Sequence, residues 1–122
     1  MSVQEFVAGP ASQSCRLIPF NDYVLLRSVP PILVVSGDAP CLNMEVSLQA
    51  RIYVRCPEFW EIEVVGCLPG AICLDAIKSY TVSIPLDGII GSEGIEIVGS
   101  NKQERIELGG GCRDEIHCNI AV

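Results

Sequence analysis

The feature that most constrains this chain is a strict two-residue alternation in its first half. From Leu42 to Val54 the even positions are Leu42, Met44, Val46, Leu48, Ala50, Ile52 and Val54. The odd positions between them are Asn43, Glu45, Ser47, Gln49, Arg51 and Tyr53. Successive side chains of a strand point to opposite faces, so this pattern describes a strand with one dry and one wet side. At about 3.4 Å per residue, an unbroken strand of this length would exceed about 40 Å. Strands that long bend or bulge, and the reading places a break near Gln49 or Ala50.

The same alternation returns at Trp60, Ile62 and Val64 and again at Ile116, Cys118 and Ile120. Shorter β-prone runs cover Cys15 to Phe20, Tyr23 to Arg27, Ile32 to Val35, Tyr80 to Ile84, Gly94 to Val98 and Glu104 to Leu108. Turn formers separate them, among them Asn21-Asp22, Gly37-Asp38-Ala39-Pro40, Leu68-Pro69-Gly70, Asp87-Gly88 and Gly109-Gly110-Gly111. No apolar spacing of helical period persists for long, which leaves room for one helical turn around Asp75 to Ser79. With 122 residues, the expectation is one all-β domain, residues 1–122, an antiparallel β-sandwich of about eight to ten short strands. The pairs Val34-Val35, Val64-Val65 and Ile89-Ile90 put apolar groups on both faces of a strand, as where a second layer or second subunit covers the outer side.

Hydrophobic residues make up 49% of the chain, yet no apolar run reaches the about 20 residues of a membrane helix. The surplus is expected in a core and in a subunit interface. The first residues, Met1 to Val7, have no basic and then long apolar stretch of the secretory kind, which gives a cytoplasmic expectation with reduced thiols. Net charge is −7, and the four acids before Glu58 are balanced by four arginines, so the whole excess falls between Glu58 and Val122. Clustered Lys and Arg of the kind that bind phosphate backbones are missing, which argues against nucleic acid. A negative surface suits a basic protein partner or plain solubility.

Chemistry-bearing residues are sparse. The seven cysteines contain no C-x-x-C pair, so metal binding is not expected; most are read as reduced, with Cys67/Cys73 and Cys112/Cys118 the pairs placed to bridge under oxidation. His117 is the single histidine, and strand alternation turns it away from its neighbour Cys118. Glu61/Glu63, Glu104/Glu107 and Asp114/Glu115 form carboxylate pairs, the first about 7 Å apart on strand geometry, a spacing compatible with glycoside hydrolysis. Acids on the wet face of a strand need no such role. The three glycines at 109–111 precede no lysine and no helix, so they read as a flexible connection rather than a phosphate loop. Trp60 is expected to anchor the core. Phe59, rimmed by Glu58, Glu61 and Glu63, is the candidate docking patch for another protein.

The stretch Tyr80 to Leu108 reads Tyr-Thr-Val-Ser-Ile-Pro, a loop, Gly-Ile-Glu-Ile-Val, then Glu-Arg-Ile-Glu-Leu and glycines. It resembles the C-terminal half of small bacterial β-sandwich proteins related to the competence-associated nuclease inhibitor. That family tends to carry an aromatic after the late turn glycine, where this chain has Cys112-Arg113-Asp114. The resemblance implies a sandwich and an acidic protein that binds another protein, and it carries no inhibitory residue over. The resulting expectation is a non-enzymatic binding or inhibitor module without cofactor. A homo-oligomeric assembly protein is the alternative, and a small carboxylate- or Cys-His-dependent hydrolase the third reading.

Overall fold

The computed structural model describes residues 13–70 and 72–113, which form eight strands and no helix. The strands are β1 (Gln13–Leu17), β2 (Asp22–Leu26), β3 (Ile32–Ala39), β4 (Glu45–Ala50), β5 (Phe59–Pro69), β6 (Lys78–Pro85), β7 (Gly94–Val98) and β8 (Gln103–Glu107). They build two sheets, one of five strands and one of three in the order β2-β3-β6. A shared core joins the sheets, with Leu33, Val35 and Tyr80 from one and Met44, Ile62, Val64, Ile95 and Ile97 from the other.

The eleven-residue β5 organises the larger sheet. On one edge it pairs along Ile62 to Cys67 with β4. On its other edge two strands lie end to end: β7 beside Phe59 to Glu63, and β1 beside Val65 to Pro69. All pairs are antiparallel except β5 with β7. The exception follows from connectivity. β6 ends at the same end of the sandwich where β5 starts, so the chain crosses sheets there and β7 must run alongside β5.

Alternation from residue 42 to 54 holds only in part. Met44 is fully buried and Val46, Leu48 and Ala50 face the core, but β4 stops at Ala50, where a break was expected. Beyond it the phase is lost: Ile52 and Val54 lie in water, while Tyr53 turns back to meet the Trp60 ring edge-on at 5.1 Å. Trp60 is fixed by its indole N–H, which donates to the Arg51 carbonyl at 2.8 Å. The expected helical turn at Asp75 to Ser79 is absent, and β6 already begins at Lys78. Val34-Val35 and Val64-Val65 do sit in strands with apolar groups on both faces, whereas Ile89-Ile90 belongs to the β6–β7 connection. The expected last strand around Ile116 to Ile120 lies outside the described residues.

Two close approaches depend on glycine. A side chain at Gly66 would collide with Met44 and Ile18, which close the core over its bare backbone. Gly37 makes room for the Tyr80 ring, whose hydroxyl donates to the Pro19 carbonyl at 2.6 Å and so ties the β1–β2 crossover to β6. Asn101 completes that tie: its side-chain oxygen accepts from the Phe20 N–H and its amide donates to the Phe20 carbonyl.

The cysteines depart most from expectation. Cys15–Cys67, Cys41–Cys73 and Cys56–Cys112 are disulfides, so six of the seven thiols are consumed. Neither pairing suggested by sequence spacing occurs, because Cys67 is bridged across the β1–β5 pair and Cys73 reaches back to the β3–β4 connection. Cys112 is joined to Cys56, and Cys118 lies outside the described residues. In sequence each bridge crosses the other two, so each closes a loop that the others leave open.

Candidate functional site

The two outer faces of the sandwich differ in chemistry. On the five-stranded sheet, alternation and register turn Glu45, Phe59, Glu61, Glu63, Glu96, Arg105 and Glu107 outward. Three of these carboxylates are held by arginines. Arg51 spans Glu61 at 3.7 Å and Glu63 at 3.8 Å, and Arg105 meets Glu96 at 3.6 Å. The same Arg105 guanidinium lies over the Phe59 ring, 4.6 Å from its centroid. The residues singled out from sequence, Glu58, Phe59, Glu61 and Glu63, are therefore near one another, with Phe59 capped by an arginine and two of the acids sharing another. Glu58 is exposed, and its carbonyl accepts from the Glu93 and Gly94 N–H groups. Among the described residues, no three His, Cys, Asp or Glu side chains gather as a metal site. Glu104 and Glu107 project from opposite faces of β8, Glu104 being paired with Lys102 at 3.4 Å. His117, Asp114 and Glu115 lie outside the described residues.

A cleft of about 560 Å³ opens at the end of the sandwich where β2 passes to β3. Val29, Pro30, Pro31, Leu86 and Ile90 line it, with Asp87 its one ionisable group and the 110–112 backbone as its far wall. Such a wall offers shape and backbone hydrogen bonds but no nucleophile–base pair.

The opposite end carries a different arrangement. The segment from Ile72 to Ile77 joins β5 to β6 without regular structure, and it is strapped to the β3–β4 connection at several points. Cys73 is bridged to the fully buried Cys41. The Asn43 side chain clamps the loop on both sides, donating to the Ile72 carbonyl at 2.8 Å and accepting from the Leu74 N–H at 3.0 Å. Leu42 N–H donates to the Leu74 carbonyl at 2.9 Å, and Lys78 Nζ donates to the Met44 carbonyl at 3.1 Å. On this fixed backbone Leu42, Ile72, Leu74 and Ile77 project outward with 49–72% of their surface in water.

This combination has a physical meaning. Ordering a loop costs about 1–2 kcal/mol per residue in backbone entropy, and binding normally includes that cost. Here folding and the disulfide have already met it, while four apolar side chains remain unburied. Exposed apolar groups held on a rigid loop mark contact surfaces. Sequence reasoning passed over this tip because its segment has no periodicity. The available signal was apolar residues at 72, 74 and 77 inside a turn-rich stretch flanking Cys73.

No helix among the described residues is long and apolar enough to cross a membrane. No protein-family model, curated protein or solved structure matches this chain.

Proposed function

We propose that the chain is a non-enzymatic binding module that docks a protein partner through the strapped tip formed by Leu42, Ile72, Leu74 and Ile77. The observation that carries this reading is the pairing of a covalently fixed backbone with unburied apolar side chains at that tip. The complementary partner surface is an apolar pocket or groove, since Asp75 is the only acid between Gly70 and Lys78. The acidic sheet is assigned to solvation, because its central carboxylates are engaged by Arg51 and Arg105.

Three disulfides also bear on the compartment. The cytoplasmic expectation carried reduced thiols with it, whereas disulfides persist in oxidising surroundings such as the periplasm, the secretory lumen or the exterior. An oxidising compartment is therefore the proposed place of work.

Photo-cross-linking tests the docking reading. A benzophenone amino acid replaces Ile77 in one variant and Glu61 in another, and both are irradiated in the cells that make the protein. A discrete adduct with another protein from position 77, lost on Ile72→Ser with Leu74→Ser, is the expected result. Adducts from position 61 and none from 77 would transfer the binding surface to the acidic sheet.

A further inference from the structure

The outer face of the three-stranded sheet is a second surface, independent of the tip. Register sets its rows: Leu26 beside Ile32 and Pro85, then Val24 beside Val34 and Ser83. Val24 is 55% exposed and Leu26 46%. Charge on this sheet is confined to its ends. Asp22 and Asp38 stand at one end, Asp38 accepting a hydrogen bond from the Ser79 hydroxyl at 3.1 Å; Lys78 at that end is turned away from this face to donate to the Met44 carbonyl, and Arg27 follows β2 at the other end.

We infer that this face is the interface of a homodimer, covered by the same face of a second copy running in the reverse direction. The distribution of charge selects that occupant. A chain of net charge −7 resists self-association wherever its acids meet. Stacking the three-stranded faces places the two acidic sheets outermost, three sheet spacings or about 30 Å apart. That distance is several times the Debye length of about 8 Å at physiological salt, so their mutual repulsion is screened. A two-fold axis across the strands makes the contact self-complementary. It brings the Asp22 end of one β2 against the Arg27 end of its mate, and it leaves both strapped tips free at opposite ends. Any stacking through the five-stranded sheet would instead press Glu45, Glu61 and Glu63 of the two copies together.

Light scattering coupled to gel filtration tests this on the full chain at physiological salt, across low to high micromolar concentrations. A Cys118→Ser background removes any contribution from an intermolecular bridge. The expected mass is twice the 13.2 kDa of one chain. Val24→Lys should yield monomer with an unchanged circular dichroism spectrum, because position 24 is already exposed within one copy. Glu61→Lys should leave the dimer intact. Asp22→Arg should weaken it, and adding Arg27→Asp should restore it. A monomer at every concentration, or a dimer that survives Val24→Lys, would overturn the inference. Failure of the charge exchange to restore the dimer would overturn the reversed alignment. A monomer that still cross-links through position 77 would leave the docking reading standing, so the two proposals fail separately.

Discussion

Replacing Cys41 and Cys73 together by alanine removes the bridge that holds the tip. Both must go, because a single substitution leaves a thiol able to exchange with the remaining bridges. The two cysteines are 32 residues apart in sequence. Loop-closure entropy for a loop of that length is roughly 12 cal/mol/K, or about 3.7 kcal/mol at room temperature. Two other bridges cross this loop and already restrict the unfolded chain, so the expected loss is smaller, about 2–3 kcal/mol. Losing the Cys41 sulfur from a fully buried position adds about 1 kcal/mol in the same direction, for the removed group and the small cavity it leaves. Urea unfolding followed by fluorescence of Trp60, the chain's one tryptophan, measures the difference. Under non-reducing conditions, wild-type peptides should also contain Cys41 joined to Cys73. A double variant within about 0.5 kcal/mol of wild type, the range of ordinary surface changes, would refute the claim that the bridge restrains this loop. A free Cys41 thiol in the wild-type protein would refute the pairing itself.

Two further outcomes follow from the geometry. Burial, with Asp38 adding repulsion, pushes the Tyr80 hydroxyl up to about 12 from its ordinary 10.0. A raised folded-state value means stability is fully present below about pH 10 and falls as pH rises towards 12. Tyr80→Phe should lose the Pro19 hydrogen bond, about 1 kcal/mol at neutral pH, and should flatten that alkaline decline; equal slopes for both proteins would count against the reading. The two arginines of the acidic sheet should also differ. Arg51→Ala breaks pairs whose members are about a third or more exposed and should cost under about 1 kcal/mol. Arg105→Ala uncovers Phe59 and leaves Glu96, whose side chain is 10% exposed, without its cation, and should cost clearly more in the same urea assay.

Local grammar made much of the fold legible. Alternation at Met44 to Ala50 and at Trp60 to Val64, with turn residues between the runs, specified strands and which side of each is dry. The reason is that a strand's period is a backbone property, independent of its neighbours. The sandwich expectation followed, since amphipathic sheets must cover one another. The break at Ala50 was legible too, but the fate of Ile52 and Val54 was not. Past the last ladder bond nothing enforces the period, and Tyr53 turns inward to the Trp60 ring because that contact is available.

What tertiary structure alone decided is which distant residues meet. Cys67 lies closer in sequence to Cys73 than to Cys15, yet the β1–β5 register places Cys15 directly opposite it. The parallel β5–β7 pair likewise depends on where the chain crosses between sheets. The candidate tip belongs to the same class: Leu42 and Ile77 come to one end of the fold only after Cys41, Asn43 and Cys73 join two connections far apart in the chain. Sequence alone determined the elements and their oily sides, because those are set by neighbours along the backbone. Long-range pairing determined the bridges, the strapped tip and the contrast between the two faces, because each needs a register that no local pattern encodes.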